Sequence, residues 1–468
     1  MGEGRKSKAP ARREWFAPWG WPVVGLLFAL LFVGSGCALL QGPEQPVLPT
    51  QPPSAVDSGE AIAFESLETG GRTTEDTVVP VAEPAITGLM EAVSKQNLFA
   101  YVQTLQNFGT RHPLSPLERE GYGIGAASRW IHDEFERVGN GRLEVAYHQF
   151  PFVYTGFSST QRNVVATLPG LGGHQGVLIL TAHYDSRTFE LGDGGSVAPG
   201  ANDNASGVAV LVEAARLLSA RSWQQTVIFV AFAAEEQGTY GSDSYVRDVM
   251  LEGMIVDAAI NLDTVGGRSG IPQSVNVFAA PEGQGTTQLA RYLDLIGDLY
   301  QGDSFDVSLR PTLDRPGRYG DQRPFVNAGV AAVRLTESQE DVERMHTDED
   351  TADRIDYNYL VKVARLTVVA LANMAGAPPL PPAPAVAPMA DAGSYLLSWS
   401  PDPGAAAYAV AFRPVGGEER ALRYISAADA GNVVITGLDP GVGYAISLAP
   451  LDAQGLVGLF SQEVVIDN

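Results

Sequence analysis

The chain has 468 residues, 45% of them hydrophobic, and a formal net charge of −23. That length allows two or three domains, and the apolar content excludes global disorder. A surface this acidic repels phosphate backbones, which excludes nucleic acid as a partner class.

The first 36 residues run against the overall acidity. Arg5, Lys6, Lys8, Arg12 and Arg13 precede an apolar run from Val23 to Val33, the pattern of a secretory signal. Residues 1–40 are therefore expected to be a signal peptide or membrane anchor. The sole cysteine, Cys37, follows Gly34-Ser35-Gly36. This resembles the bacterial lipobox, at which the cysteine is lipidated, although Gly34 stands where a leucine is usual. The alternatives are an uncleaved anchor, since Trp19 to Leu40 is long and apolar enough to span a bilayer, and simple secretion. All three predict an extracytoplasmic protein, attached to a bacterial cell membrane in the first two. A single cysteine also leaves no internal disulfide.

Residues 41–84 are rich in Pro, Thr, Ser, Gly and Glu and read as a flexible tether. Apolar spacing predicts helices over 86–108 and 122–138. Strands follow at 163–168 and 176–181, then a helix at 208–220. The run Thr226 to Phe232 is apolar without interruption, as in a central strand covered on both faces. Further strands are expected at 258–262 and 330–335, and helices at 286–300 and 357–375. Such alternation predicts one α/β domain, residues 85–376, with a mostly parallel central sheet flanked by helices. Residues 377–388 hold six prolines in twelve positions and read as a stiff linker. The last segment, residues 389–468, has short strands at 396–399, 407–412, 433–435, 444–448 and 464–466, which predict an all-β sandwich.

Candidate chemistry collects where the α/β strands end. His183 and Asp185 follow an apolar strand, and Asp203 lies in the polar turn Asn202-Asp203-Asn204-Ala205-Ser206-Gly207 that enters the next helix. Glu235 and Glu236 follow the 226–232 strand, Asp263 follows the next, and His346 comes shortly after the last. Ligands in open α/β sheets gather at such ends. Two imidazoles and three carboxylates suit zinc or a similar divalent ion, and the carboxylate count exceeds what one tetrahedral zinc takes. Two ions sharing a carboxylate account for it better. Adjacent Glu235 and Glu236 can point one to a metal and one to a water, giving a general base beside an activated nucleophile.

These motifs, together with Gly238, Gly241-Ser242, Asn261-Leu262-Asp263 and His346-Thr347-x-x-Asp350-Thr351, resemble the co-catalytic zinc aminopeptidase family. That family includes bacterial leucyl aminopeptidases, glutamate carboxypeptidases and glutaminyl cyclases. The resemblance covers about residues 86–374 and implies the zinc exopeptidase fold with two Zn2+ ions. Carried over position by position, it implies that Asp203 bridges the ions. His183 and Asp263 would complete one site, Glu236 and His346 the other. It also implies Glu235 as general base and Asp185 as the residue orienting His183. Gln322 departs from the family's usual histidine in Gly320-Asp321-Gln322-Arg323-Pro324-Phe325. It can still hydrogen-bond a substrate carbonyl but carries no positive charge. Tyr319 is a candidate oxyanion donor. In the last segment, Leu438-x-Pro440-x-x-x-Tyr444 with Trp399 and Tyr408 resembles a fibronectin type III domain.

The expected function is therefore a membrane-attached zinc exopeptidase acting on peptide substrates, with an aminopeptidase as the leading choice. An acidic rim would favour a free α-ammonium group. A carboxypeptidase or dipeptidase of the same fold is the alternative, with Arg187, Arg318 and Arg323 available for a substrate carboxylate. The rival from another class is a catalytically silent surface binding protein. For the C-terminal sandwich the expectation is a spacer or a module contacting cell-surface protein or glycan. His112, His132, His148 and His174 are expected to be structural or surface residues.

Overall fold

The computed structural model describes residues 62–64 and 77–466, apart from 173, 282–284, 418, 419, 432 and 440. The expectations for residues 1–40, Cys37 included, and for most of the tether lie outside the described residues.

A short strand, β1 (Ile62–Phe64), comes first, followed by helices α1 (Pro84–Glu91), α2 (Lys95–Gln106) and α3 (Gly123–Gly139). The stretch 86–108, whose spacing predicts one helix, is thus two. Ser94 breaks it, because its backbone is extended and its hydroxyl accepts from the Asn97 amide at 3.2 Å. That bond satisfies one of the orphan donors of a helix start. Next comes a hairpin, β2 (Glu144–Tyr154) and β3 (Phe157–Leu168), then β4 (Val177–His183), α4 (Ser206–Leu218), β5 (Thr226–Phe232), α5 (Tyr240–Leu251) and β6 (Val256–Leu262). The body ends with β7 (Ser274–Ala279), α6 (Thr286–Gln301), β8 (Asp306–Arg310), α7 (Gln322–Asn327), β9 (Ala332–Glu337) and α8 (Tyr357–Gly376).

These eight body strands form one sheet in the order β2-β3-β5-β4-β6-β9-β7-β8. Its centre, β5-β4-β6-β9, is parallel, while β2/β3, β3/β5 and β7/β9 are antiparallel. The uninterrupted apolar run of β5 is explained by its two faces. Val227, Phe229 and Ala231 join the core beneath α3, α4 and α8, whereas Ile228, Val230 and Phe232 join a second core with Tyr245 of α5 and Phe325 of α7. Successive side chains of a strand point to opposite faces, so a strand covered by helices on both sides needs apolar residues at every position. Each such side chain contributes roughly 1.5–3 kcal/mol by leaving water.

The C-terminal strands are β10 (Ala385–Pro388), β11 (Tyr395–Ser398), β12 (Ala407–Pro414), β13 (Ala421–Ser426), β14 (Val433–Ile435), β15 (Tyr444–Leu451) and β16 (Val464–Ile466). They make two four-stranded sheets, β1-β14-β11-β10 and β13-β12-β15-β16. Strand β12 shows how they attach. Tyr408, Val410 and Phe412 enter the core between the sheets, while Ala407, Ala409 and Ala411 belong to the same apolar cluster as the α/β body. Small alanines there let the body approach the sheet closely. Strand β10 falls within the proline-rich stretch and pairs with β11.

Candidate metal centre

The carboxyl ends of β4, β5, β6 and β9 lie side by side, and every metal-ligand candidate comes from a loop leaving that edge. His183 is the last residue of β4. Asp203 sits in the turn that leads into α4, where the Asp203–Asn204 peptide is cis. The Asp350 carboxylate accepts the Asn202 amide at 2.8 Å and the Asp203 amide at 3.0 Å, which fixes the turn against the loop bearing His346. Ala234 (φ 60°), Thr264 (φ 59°) and His346 itself (φ 63°) adopt left-handed backbone conformations beside or at the site. That region is uncommon for residues with a Cβ and costly for a β-branched one. The surrounding packing therefore holds these turns against local preference.

The five predicted ligands converge. His183 Nε2 is 3.3 Å from Asp203 Oδ1 and 3.4 Å from Asp263 Oδ1. His346 Nε2 is 3.1 Å from Asp203 Oδ2 and 3.3 Å from Glu236 Oε2. The two oxygens of Asp203 thus face two different histidines. In each triad, His183/Asp203/Asp263 and Asp203/Glu236/His346, the ligand atoms all lie within 4.8 Å of one another. The buried Glu236 Oε1 has no hydrogen-bond partner among the described residues. An orphaned carboxylate oxygen beside imidazole and carboxylate donors fits a divalent metal, and zinc suits this donor set.

Charge balance marks the same point. Burial alone would depress the His183 imidazolium, but Asp185, Asp203 and Asp263 outweigh it and raise it well above the ordinary histidine range. His346 is likewise raised, to about 9: burial opposes the shift, and Glu236 and Asp203 override it. Burial would push Asp203 up, yet the two histidines hold it well below the usual carboxylate range. Glu235 goes the other way. Its burial, reinforced by the charges of Asp321, Asp263 and Glu236 and opposed by His183, raises it well above an ordinary glutamate.

Asp185 is fully buried, with one oxygen 3.6 Å from His183 Nδ1, beyond ordinary hydrogen-bond length. Its firmer contacts are with the next loop. It accepts the backbone amides of Glu235 and Glu236, each at 3.2 Å, and so pins the paired glutamates to the segment that follows His183.

Residues 163–371 match the model of "Peptidase family M28". A probable zinc metalloprotease of Leptosphaeria maculans is 33% identical over 65% of this chain and 79% of its own length. A second, from Pyricularia oryzae, is 34% identical over 69% and 73%. The chain belongs to peptidase family M28. It is a metallopeptidase by that membership. The fold of this M28 peptidase is also that of the LapA aminopeptidase of Legionella pneumophila. The two superpose with a TM-score of 0.53 at 20% identity, over 64% of this chain and 77% of the other.

Two features of the M28 centre depart from the sequence-based expectation. Gln322 does not face the cleft. It is buried, its amide donates to the Leu313 carbonyl at 3.0 Å and to Asp314 Oδ2 at 3.1 Å, and its oxygen accepts from Asn261 at 3.4 Å. With both ends engaged inside the protein it holds the 313–320 loop and is not free for a substrate carbonyl. The rim is also not acidic. Arg187, Arg315, Arg318 and Arg323 line the cleft of about 320 Å³ above the ligands, together with Tyr319. Tyr319 is half exposed and its ring lies 4.9 Å from the Arg323 guanidinium carbon.

Some functional neighbours went unnoticed in the sequence. Arg334, on β9, pairs with Asp263 and Asp314. Arg111 is wholly buried and donates to the carbonyls of Tyr184, Pro199 and Gly200, tying the His183 and Asp203 segments together. Asp321 accepts from Ser242 at 2.5 Å, and burial pushes it up to about 7. Neither arginine has a local motif around it; the only signal is a cation inside an otherwise apolar or turn-rich segment. His112 and His148 are structural, as expected. The first meets the Leu191 carbonyl at 3.0 Å, the second Asp248 at 3.0 Å.

Proposed function

We propose that this M28 peptidase is an extracytoplasmic, membrane-attached exopeptidase that removes N-terminal residues from peptides and works with two zinc ions. The observation that carries the reading is Asp203, whose two oxygens face His183 and His346 at 3.3 and 3.1 Å. A carboxylate so placed suits a bridge between two metals, with His183 and Asp263 on one side and Glu236 and His346 on the other. Zinc held there would supply Lewis acidity, polarising the scissile carbonyl and acidifying water.

The chain's own residues supply the proton work. Glu235 lines the cleft beside the ligands and, held by Asp185, takes a proton from the attacking water and returns it to the leaving amine. Attachment to the membrane rests on the basic and apolar N-terminal segment, through either an anchor or a lipidated Cys37. We read residues 389–468 as fibronectin type III-like: the Asp439 amide donates to the Tyr444 hydroxyl at 3.4 Å, in the manner of a tyrosine corner, and Trp399 meets Tyr408 edge-on at 5.3 Å.

The test is metal content and peptide release on the purified protein. About two zinc ions per chain and stepwise loss of N-terminal residues are expected; blocking the amine should stop the reaction. Glu235→Gln should cut turnover by about 10²–10⁴-fold with zinc retained. A folded sample with zinc content near zero would sink the enzyme reading in favour of a surface binding protein. Cleavage of N-blocked peptides would favour the carboxypeptidase alternative, which draws on the arginines of the rim.

A further inference from the structure

We infer that Arg318 and Arg323 form a carboxylate-recognising subsite at the mouth of the cleft, so that the enzyme prefers peptides bearing an anionic group close to the scissile bond. The inference rests on this cleft being the peptide site proposed above.

Five arginines line the cleft, but they differ in what they are paired with. Arg187 Nε lies 2.6 Å from Glu236 Oε2. Arg334 is shared between Asp263 and Asp314 at 3.1 and 3.0 Å, and Arg315 is paired with Asp314 and Glu340. These three charges are already matched. Arg318 and Arg323 have no carboxylate partner among the described residues. Arg318 reaches only the Met345 sulfur, at 2.9 Å, a weak acceptor. Arg323 donates to the Thr239 hydroxyl at 3.2 Å and stacks over Tyr319. Both keep donors for a ligand.

The loop that carries them is held in place. The buried Asp314 carboxylate accepts from the amides of Arg315 at 2.7 Å and Gly320 at 3.2 Å, from Gln322 at 3.1 Å and from Arg334 at 3.0 Å. Arg318 and Tyr319 lie inside the segment thus closed, and Arg323 sits in the first turn of the helix that follows. Guanidinium groups on a fixed loop recognise carboxylates through paired, charge-assisted hydrogen bonds, and less ordering is lost when the loop is already set. The contrast with the rest of the molecule strengthens the point. In a chain of net charge −23, a rim of arginines provides a local field that draws an anionic substrate to this cleft. The carboxylate can come from an acidic side chain or from the C-terminus of a very short peptide, and the test separates the two.

Zinc-loaded protein is assayed with two matched pairs, Glu-Ala-Ala-amide against Gln-Ala-Ala-amide and Ala-Ala against Ala-Ala-amide. In at least one pair the carboxylate member should win by about tenfold in kcat/KM, mainly through KM. The first pair reports a side-chain carboxylate, the second a terminal one. In the double variant Arg318→Ala/Arg323→Ala the ratio should fall to near unity, and Arg318→Lys/Arg323→Lys should restore part of it. Both pairs within twofold in the wild type, or a ratio that survives the double alanine change, would overturn the inference. If none of the four peptides is hydrolysed, the aminopeptidase reading fails by itself. Calorimetric binding of the same peptides to zinc-loaded Glu235→Gln protein, with and without the two arginines, then decides the subsite by the same ratios.

Discussion

Arg334 Nη2 lies 3.1 Å from Asp263 Oδ2, and Asp263 turns its other oxygen to His183 at 3.4 Å. One arginine therefore selects which Asp263 oxygen faces the proposed metal position. Its Nη1 meanwhile binds both oxygens of the buried Asp314 at 3.0 Å. Burial disfavours charge on Arg334, but the surrounding acids more than offset it and keep the guanidinium firmly protonated. Removing one member of a buried ionic network leaves the others uncompensated, at a cost of about 3–5 kcal/mol. Arg334→Ala should lower stability by that amount in urea unfolding. Zinc affinity should weaken by about 10–100-fold, the range for residues that orient ligands, as read by chelator competition.

Asp185 gives a second prediction. Because it accepts the amides of Glu235 and Glu236 and lies 3.6 Å from His183 Nδ1, Asp185→Ala should disturb both a proposed ligand and the proposed base. A loss of about 10–100-fold in zinc affinity is expected, with a further fall in kcat measured at saturating zinc. Asp185→Asn keeps an oxygen for one amide and should sit between the two. Equal zinc affinity in all three proteins would confine Asp185 to the Glu235 loop.

Glu337, whose carboxylate accepts from Asn202 beside Asp203, sets a pH dependence of stability. It is buried at the end of β9, and burial pushes it from 4.5 up to about 8 against hydrogen bonds from Asn202 and Gly267. Between those two values the folded protein holds a proton that the unfolded chain has released. The unfolded state binds fewer protons there, so stability falls as pH rises through this window and levels off above about 8. The effect is up to about 5 kcal/mol. Glu337→Gln should match the wild type near pH 5 and exceed it near pH 8.5 in urea midpoints. Parallel curves for the two proteins would show that Glu337 is ionised throughout.

The C-terminal strands lean on the body through Glu463. It accepts from Arg291 of α6 at 2.6 Å and from Arg413 of β12 at 2.8 and 2.6 Å. Tyr292 adds a hydrogen bond to the Val457 carbonyl at 2.9 Å. Glu463→Ala removes the anion between two arginines that are almost wholly buried, and should cost roughly 3 kcal/mol. Truncation after Ala377 should be harsher, since it bares the body core that Leu451, Val457 and Phe460 cover. A drop in Tm on the order of 10 °C is expected. An unchanged Tm would show that the body is stable without the sheets.

Much of this protein is legible one residue at a time. The period-2 and period-3.6 patterns locate β4, β5, β6, α4, α6 and α8 within a few residues, because these elements are long, apolar and buried. The ligand candidates other than His346 are legible for a related reason: each stands at or shortly after the end of such a strand or in the turn entering a helix. Less regular elements escaped. Strand β2 mixes exposed, half-buried and buried residues irregularly, so neither period marks it, and β13 is half-buried except at Ile425. Helix α5 opens with Tyr-Gly-Ser-Asp-Ser and is preceded by Thr239 in a left-handed conformation, which local propensity does not announce.

What the sequence by itself determined is the kind of chemistry: five candidate metal-ligand side chains and a paired glutamate near the ends of apolar strands. Only the tertiary structure decided how they are shared. The facing of Asp203 towards two histidines depends on Asp350, 147 residues away. The inward turn of Gln322 depends on Asp314 and Asn261, and the two unmatched charges of the rim depend on which arginines found acids elsewhere in the fold. Hydrogen bonds and ion pairs act over a few ångströms in space and carry no periodic trace along the chain, so their pairing becomes defined only once the sheet has brought its loops to one edge.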